Sequence, residues 1–314
     1  MSDARQIPRL MIAATGSGVG KTTITVGLMG ALRARGLKVA AFKCGPDFLD
    51  PTYHARVTGA VSHNLDGWMM GRDAVMATFS RAAAHADIAI IEGMMGLFDG
   101  ASPIGDVGSS AEIAKWLAAP VILTVDASGM ARTVAAVAHG FAHFDSVVRL
   151  GGLICNRVGS HGHLELLRAA SQQAPVLGGL PERAAAAFPE RHLGLYSANE
   201  KHVSRELLDQ WGRLASEWFK LDAIIALARS APPLEIPATV PDQRSEIGVR
   251  QCRIGVALDD AFHFYYEDNL KRLEALGAEL VNFSPVHDRD LPDVDGLYFG
   301  GGYPEALADE LSSN

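Results

Sequence analysis

The stretch of sequence that decides the fold is Ala14-Thr15-Gly16-Ser17-Gly18-Val19-Gly20-Lys21-Thr22-Thr23. It follows an apolar run at residues 10–13 that is typical of a buried strand, and it opens an amphipathic run at residues 24–35 that is typical of a helix. A strand, a glycine-rich turn and a helix in this order form a P-loop, in which backbone N–H groups at the helix N-terminus surround a phosphate. The stretch therefore predicts a nucleotide-phosphate site in an α/β fold.

This loop departs from the strict P-loop motif at one position. The amine of Lys21 can reach the outer phosphates of a nucleotide, and the hydroxyl of Thr22 can hold Mg²⁺. The strict motif has glycine six residues before the lysine, where this chain has Thr15. A dinucleotide-type glycine pattern also fits Gly16 and Gly18 loosely, but the Gly-Lys-Thr-Thr ending favours a nucleoside triphosphate. The residues expected at the phosphates are Gly16, Ser17, Gly18, Val19, Gly20, Lys21, Thr22 and Thr23.

The composition limits the classes of partner and location. The chain has 314 residues and a net charge of −8, which argues against nucleic acid or an anionic membrane as the main partner. Its apolar runs are all shorter than the ~20 residues of a membrane-spanning helix, and its N-terminus lacks the apolar core of a signal peptide. The three cysteines form neither a disulfide framework nor a CxxC metal pair. We therefore predict a cytoplasmic protein.

Apolar, strand-like runs alternate with helical patterns through most of the chain. The predicted strands are 9–14, 37–42, 87–91, 120–126, 150–155 and 175–178. The predicted helices are 22–35, 73–85, 109–118, 129–144, 161–173 and 203–227. This alternation is typical of βαβ crossovers, so we predict a P-loop domain of the α/β class over residues 1–230, with a mostly parallel, doubly wound sheet.

A change in composition marks the end of that pattern. Residues 231–241 contain four prolines in eleven positions, which predicts an extended linker over 231–250. The alternation then resumes in residues 251–314. The elements predicted there are strands at 253–258, 279–283 and 296–299 and a helix at 266–276. Two or three strands do not close a sheet by themselves, so we expect 251–314 to be the beginning of a second α/β domain.

Polar side chains are predicted at the carboxyl ends of three strands, where open parallel sheets bind ligands. Glu92 follows the apolar run 87–91 and is placed to reach Mg²⁺ as a Walker B acid does, or to cap the next turn. Lys43 can neutralise a developing phosphoryl charge, and Asp47 is placed to join the Mg²⁺ shell or to orient a substrate. The alternative is an ordinary Gly-Pro-Asp turn at residues 45–47 with a solvated Lys43. The carboxamide of Asn156 can read an adenine edge or cap a turn, and the sequence leaves both open.

Two polar segments with aromatic residues, 62–68 and 96–100, either line a substrate cleft or form ordinary surface loops. His54 and His63 are by themselves more typical of structural histidines than of functional ones. Cys44 is more typical of a small buried residue than of a nucleophile.

Six blocks of this sequence together resemble one enzyme family. They are GSGVGKTT (16–23), FKCGPDFLDPTYH (42–54), NLDGWM (64–69), IIEGMMGLFDG (90–100), ICNRVGS (154–160) and PERHLGL (189–195). The family that they resemble is that of the cobyrinic acid a,c-diamide synthases, and the hydrogenobyrinic acid a,c-diamide synthases look the same at this level. The resemblance covers essentially the whole chain. More distantly, the first domain resembles dethiobiotin synthetase, which shares the threonine in the P-loop.

The resemblance implies a carbon–nitrogen ligase of cobalamin biosynthesis that uses ATP and Mg²⁺. In that family, ATP phosphorylates the c and then the a side-chain carboxylate of a corrin ring, and ammonia displaces phosphate from the acyl phosphate to form the amide. Glutamine supplies the ammonia through a C-terminal class I glutaminase domain of flavodoxin-like fold. The implied partners are a corrin polycarboxylate and glutamine or ammonia, and a homodimer is one oligomeric state that the sequence leaves open.

The resemblance also implies roles for individual residues. The implied catalytic residues are Lys21, Lys43, Asp47 and Glu92, and the implied Mg²⁺ ligands are Thr22, Asp47 and Glu92. The residues implied at the nucleotide base are Asn156, Arg191, His192 and Leu193, and those implied at the corrin are Asp47, Phe48, Leu49 and Asp66.

One departure from the family pattern concerns the glutaminase nucleophile. That cysteine should lie on a glycine-rich turn between a strand and a helix, whereas Cys252 precedes the first strand of the second domain. We therefore expect residues 251–314 to be only the N-terminal part of the glutaminase domain.

Two other functions stay open from the sequence. One is a related tetrapyrrole amide ligase, such as cobyric acid synthase or a nickel-tetrapyrrole a,c-diamide synthase. The other, a partition-type switch ATPase, fits less well, because many of those proteins carry an extra lysine early in the P-loop, where this chain has Gly16.

Overall fold

The computed structural model describes residues 3–182, 203–236 and 252–314. The chain divides into two compact units, Met1–Ala238 and Thr239–Asn314. Among the described residues, no helix has both the length and the apolar character needed to cross a bilayer.

The first unit is built around a sheet of parallel strands. Its strands in chain order are β1 (Asp3–Arg5), β2 (Arg9–Ala14), β3 (Val39–Cys44), β4 (Ser62–Leu65), β5 (Ile88–Glu92), β6 (Val121–Asp126), β7 (Leu150–Val158), β8 (Val176–Pro181) and β9 (Leu234–Ile236). Seven of them form one sheet in the spatial order β4-β3-β5-β2-β6-β7-β8, with every neighbouring pair parallel. The remaining two, β1 and β9, pair antiparallel with each other.

Helices connect these strands. In chain order they are α1 (Lys21–Ala34), α2 (Asp50–Thr58), α3 (Gly67–Ala82), α4 (Ser110–Trp116), α5 (Thr133–Phe144), α6 (His161–Ala170), α7 (Arg205–Trp218) and α8 (Leu221–Arg229). From β2 the chain first runs to one edge of the sheet, through β3 and β4, and later to the other edge, through β6, β7 and β8. Parallel crossovers are right-handed as a rule, so crossovers that run in opposite directions place helices on both faces. The predicted α/β class with a parallel, doubly wound sheet is confirmed.

Burial explains why the central strands were predictable. All residues of β2, β3 and β5 are buried, and such unbroken apolar runs are typical of parallel strands that are covered on both faces. The helix α1 packs closely against α7, where Gly30 and Gly212 meet: a Cβ atom on Gly30 would lie 3.1 Å from the Gly212 Cα. This contact holds the helix that follows the P-loop against the body of the domain.

The structure corrects the sequence-based elements of the first unit at several places. The strand β1 and the helix α2 were not predicted, and α3 begins at Gly67 rather than at residue 73. Residues 62–65 form β4, an edge strand whose polar side chains Ser62, His63 and Asn64 are nevertheless buried, so the apolar pattern did not reveal it. The single helix predicted at 203–227 is two helices. The break lies at Phe219, which adopts extended backbone angles and forms a bridge with Gly178 of β8, while the N–H of Lys220 donates to the Leu177 carbonyl.

The second unit is a smaller α/β assembly. Its elements are β10 (Cys252–Ala257), β11 (Phe262–Phe264), α9 (Glu267–Ala275), β12 (Ala278–Phe283), β13 (Gly296–Tyr298), β14 (Gly301–Gly302), a 3-10 helix (Pro304–Leu307) and α10 (Ala308–Ser313). Three parallel strands form the order β12-β10-β13, and β11 pairs antiparallel with β14. Of the segment predicted as a linker, residues 234–236 belong to β9 of the first unit, and residues 237–250 lie outside the described part of the chain.

Candidate active site

The P-loop joins β2 to α1 and needs glycine at two of its positions. Gly18 and Gly20 have φ values of 74° and 93°, in the left-handed region that favours glycine. A Cβ atom on Gly20 would also lie only 2.1 Å from the Asn156 Nδ2 atom. Because α1 begins at Lys21, its first unpaired backbone N–H groups face the loop, where they can hold a phosphate.

The amine of Lys21 bridges two parts of the site. It donates to the carbonyl of Gly16 at 3.1 Å and to the carbonyl of Met95, which follows β5, at 2.5 Å. Burial and then the neighbouring Lys43 ammonium lower the pKa of Lys21. The Lys21 ammonium lies beside the N-terminus of α1, and together they form a place where a phosphate can bind.

Glu92 and Lys43 form a buried ion pair at the carboxyl ends of adjacent strands. They occupy paired positions of β5 and β3, and the Lys43 Nζ atom lies 3.0 Å from the Glu92 Oε1 atom. Burial alone would raise the pKa of Glu92 and lower the pKa of Lys43, because it disfavours the charged form of each group. The Lys43 ammonium nevertheless holds the pKa of Glu92 well below its usual range, and the Glu92 and Asp50 carboxylates hold the pKa of Lys43 above its own. The hydroxyl of Thr22 donates to the same Glu92 Oε1 atom at 2.7 Å, which ties the first turn of α1 to this pair.

Asp50 completes this cluster and was not singled out by the sequence. It is the first residue of α2, and its Oδ2 atom accepts from the Lys43 amine at 2.5 Å and lies 3.3 Å from the Thr22 hydroxyl oxygen. Burial, and then repulsion from Glu92, raises the pKa of Asp50 to about 7. The signal that could have found it is its place in the block Gly-Pro-Asp-Phe-Leu-Asp, three residues after the acid that the sequence did identify.

Asp47 lies at the edge of the cluster and shapes the turn before α2. Its Oδ1 atom accepts from the N–H groups of Leu49 at 2.8 Å and Asp50 at 3.0 Å, and its Oδ2 atom lies 3.8 Å from the Lys43 Nζ atom. Phe48 and Leu49 lie half-buried in the same turn. The structure therefore places Asp47 where it fixes Asp50, with one carboxylate oxygen still turned towards Lys43.

The remaining site residues from the sequence fall at different places. Asp66, implied at the corrin, caps α3, because its Oδ1 atom accepts from the N–H groups of Trp68 and Met69. The Asn156 Nδ2 atom donates to the Val19 carbonyl of the P-loop at 2.9 Å, so this side chain lies at the loop, and its role at the base stays a prediction. Arg191, His192 and Leu193 lie outside the described residues.

The donor atoms of the cluster fit Mg²⁺ delivered with a nucleotide. No group of three or more His, Cys, Asp or Glu side chains in the described ranges is arranged as a metal cage. Mg²⁺ does not need one, because it usually binds to one or two carboxylates and completes its shell with phosphate oxygens and water. The Thr22 hydroxyl, which contacts both Glu92 and Asp50, marks the point where such hard oxygen ligands converge.

The comparisons with known proteins agree with this geometry. Residues 10–195 match the CobQ/CobB/MinD/ParA nucleotide binding domain, and residues 253–314 match the CobB/CobQ-like glutamine amidotransferase domain. Solved structures resemble the chain more weakly: chloroplast FtsY from Physcomitrella patens aligns with 73% of this chain and 67% of its own, at a TM-score of 0.44 and 15% identity.

Curated relatives match almost the whole chain. The cobyrinate a,c-diamide synthase of Leptospira interrogans is 54% identical over 98% of this chain and 67% of its own length. The enzymes of the same name from Syntrophotalea carbinolica and Priestia megaterium are 49% and 46% identical over 98% and 97% of this chain, and over 67% and 66% of their own lengths. The chain thus spans about two thirds of the length of these relatives, and it belongs to the cobyrinate a,c-diamide synthase family.

Proposed function

We propose that this chain catalyses the ATP-dependent amidation of the a and c side-chain carboxylates of cobyrinic or hydrogenobyrinic acid, with glutamine or ammonia as the nitrogen donor. The observation that carries the proposal is the hydrogen-bonded cluster of Thr22, Lys43, Asp50 and Glu92 beside the P-loop, in which Lys43 and Glu92 are buried. It joins a triphosphate site to charged groups that can act on a phosphoryl acceptor. The names of the relatives supply the substrate class.

The chemistry begins with a carboxylate, which is a poor acyl donor until one of its oxygens becomes a leaving group. Phosphoryl transfer from ATP to that oxygen gives an acyl phosphate, and attack by ammonia at the carbonyl carbon then expels phosphate. Such a transfer depends mainly on positioning and on neutralising the negative charge of the phosphoryl group. In this chain the P-loop N–H groups and Lys21 hold the triphosphate, and Lys43 stands next to it as the second cation.

The oxygen-bearing side chains of the cluster have two proposed tasks, which are to bind Mg²⁺ and to hold Lys43. Thr22, Glu92 and Asp50, with Asp47 at the edge of the cluster, are the proposed ligands of Mg²⁺, which would supply charge neutralisation at the β- and γ-phosphates. Glu92 and Asp50 also keep Lys43 charged and fixed, because both accept hydrogen bonds from its amine. Asn156, Arg191, His192 and Leu193 are the proposed residues at the base, and Asp47, Phe48, Leu49 and Asp66 those at the corrin.

We extend the proposal to partners and location. The net charge of −8 supports an enzyme that acts on small molecules in the cytoplasm, without nucleic acid or membrane as partner. A homodimer is compatible with the proposal.

The test is ADP release by the purified chain with a panel of tetrapyrrole acids and ammonium chloride as the nitrogen donor. We expect turnover with cobyrinic or hydrogenobyrinic acid, and mass spectrometry should show two successive conversions of a carboxylate to an amide. Turnover only with a corrin acid whose a and c side chains are already amides, or only with a nickel tetrapyrrole, would assign the chain to a related amide ligase. ATP hydrolysis that is indifferent to every tetrapyrrole would favour a switch ATPase.

A further inference from the structure

His54 lies beside the cluster and has no part in the mechanism above. It belongs to α2, one helical turn after Asp50, and its side chain is completely buried. Its Nε2 atom lies 2.6 Å from the Glu92 Oε2 atom, and its Nδ1 atom lies 3.1 Å from the Ser62 Oγ atom of β4. The imidazole therefore connects the edge strand of the sheet to the buried acid.

The direction of one of these hydrogen bonds follows from the chemistry of the groups. An ionised carboxylate only accepts hydrogen bonds, so the Nε2 atom of His54 must carry the proton that it donates to Glu92. In a neutral ring the Nδ1 atom then accepts from the hydroxyl of Ser62. A ring flip would break both contacts, so Ser62 and Glu92 together fix the orientation of the imidazole.

This arrangement divides the two oxygens of Glu92 between two sides. Oε2 is occupied by His54, whereas Oε1 accepts from Thr22 at 2.7 Å and from Lys43 at 3.0 Å. The carboxylate group cannot rotate without losing all three partners. The helix α2 acts on both sides of the cluster, since Asp50 contacts Lys43 and Thr22, and His54, four residues later on the same helix face, contacts Glu92.

We propose that His54 is a positioning residue which, held by Ser62, presents only the Oε1 atom of Glu92 to Thr22 and the nucleotide-bound cation. The proposal rests on the proposed function only in requiring ATP and Mg²⁺ at this site. It differs from a purely structural role in one measurable way. A misplaced Glu92 should weaken the part of nucleotide binding that depends on Mg²⁺ and leave the part that depends on the P-loop unchanged.

The test measures the dissociation constant of a fluorescent ATP analogue, mant-ATP, in EDTA and in Mg²⁺. The quantity compared is the ratio of the constant in EDTA to the constant in Mg²⁺, which is large when Mg²⁺ strengthens binding. We expect His54→Ala to lower that ratio about tenfold, as fits the loss of one hydrogen bond to a charged group, with the constant in EDTA unchanged. His54→Gln, whose amide can donate to the same carboxylate oxygen, should recover most of the ratio. Ser62→Ala should lower it by a smaller factor, because the ring loses its second anchor.

His63→Ala is the matched control, since His63 is also a buried histidine but lies on β4. The centroid of its ring lies 6.3 Å from that of the Phe42 ring. This variant should leave the ratio unchanged. An unaltered ratio in folded His54→Ala, or an equal fall in His63→Ala, would overturn the proposal. If His54→Ala does not fold, Ser62→Ala decides by the same criterion. Failure of the wild-type chain to bind mant-ATP would instead count against the proposed function. If the wild-type chain binds mant-ATP with the expected ratio but forms no amide, the role of His54 is still supported by the variants.

Discussion

Lys43 and Glu92 occupy paired positions on the neighbouring parallel strands β3 and β5, and both side chains are buried at the carboxyl end of the sheet. Their charged atoms lie 3.0 Å apart. A buried ion pair contributes little to stability by itself, because the cost of desolvating two charges offsets most of their attraction. Beside the P-loop, this ion pair keeps a lysine charged and oriented, and under the proposed function that lysine faces the phosphoryl group.

The first prediction concerns Lys21. Lys21→Ala should abolish ATP turnover and leave the fold intact, because the amine contacts two backbone carbonyls of the site and contributes no core packing. The measurement is ADP release with substrate present, together with circular dichroism and the thermal midpoint. Lys38→Ala, at an exposed position, is the matched control and should retain full activity. A folded Lys21→Ala variant with wild-type turnover would remove the P-loop from the mechanism.

Asp47 offers a substitution that removes a charge and keeps the local structure. In Asp47→Asn the Oδ1 atom can still accept from the N–H groups of Leu49 and Asp50, so the turn should persist. If Asp47 binds the nucleotide's Mg²⁺ as proposed, loss of its negative charge should cost ~3 kcal/mol of transition-state stabilisation, or about 100-fold in kcat. Asp87→Asn, which also removes an aspartate that accepts a backbone N–H group, serves as the control at the opposite end of β5. Normal kinetics with normal Mg²⁺ dependence would reduce Asp47 to a turn residue.

A third prediction follows from the raised pKa of Asp50. Its value of about 7 in the folded protein lies above the ordinary 3.8, so between these pH values the folded chain holds a proton that the unfolded chain has lost. The stabilisation is complete near pH 4 and is lost as the pH rises to 7, by up to ~1.4 kcal/mol per pH unit. Asparagine cannot ionise. Asp50→Asn should therefore exceed the wild type in free energy of unfolding by only ~1 kcal/mol near pH 4.5 and by considerably more at pH 8, while its catalytic activity falls.

The measurement for Asp50 is urea unfolding of the nucleotide-free protein in EDTA, at pH 4.5 and at pH 8. Tryptophan fluorescence reports on the first unit alone, because all four tryptophans, Trp68, Trp116, Trp211 and Trp218, belong to it. An equal change in the urea midpoint at both pH values would show that Asp50 ionises normally in the fold.

The sequence predicted the sheet better than the site. Apolar runs identified six of the seven strands of the main sheet, because most side chains of parallel strands covered on both faces are apolar. Arg9, Lys43 and Glu92 are the buried charged exceptions in β2, β3 and β5. β4 was missed because its buried residues Ser62, His63 and Asn64 are polar. The Ser62 hydroxyl contacts His54 of α2, and the Asn64 amide donates to the Gly45 carbonyl after β3. Patterns of hydrophobicity cannot reveal a strand that is buried by virtue of its polar partners.

The site was predictable where a residue type and a strand end coincide. Lys43 and Glu92 satisfied that condition, and the structure brings their side chains into contact. Asp50 and His54 did not, because an acid at a helix start and a lone histidine in a helix both have common structural explanations. Only the packing of α2 against the end of β5 brings them to Glu92, and that contact depends on how the helix is placed in three dimensions.

The last prediction concerns the nitrogen donor and rests on the three cysteines. Hydrolysis of glutamine needs a thiolate nucleophile. Cys44 ends β3 and Cys155 lies in β7, and burial raises the pKa of each thiol to about 12. Cys252 begins β10 and is not on the turn between a strand and a helix that activates such a nucleophile. The polypeptide of residues 1–314 should therefore amidate its substrate with ammonium chloride and fail to do so with glutamine.

The assay compares amide formation from the two donors at equal concentrations of ATP and corrin, with glutamine freed of contaminating ammonia. Cys252→Ser is the informative variant, because Cys252 is the one cysteine of the three that is not buried. It should keep the full ammonia-dependent rate, since the P-loop, Lys43 and Glu92 all belong to the first unit. Glutamine-dependent amidation by the wild-type polypeptide that disappears in Cys252→Ser would identify this thiol as a nucleophile and show that its place at the start of β10 does not prevent activation.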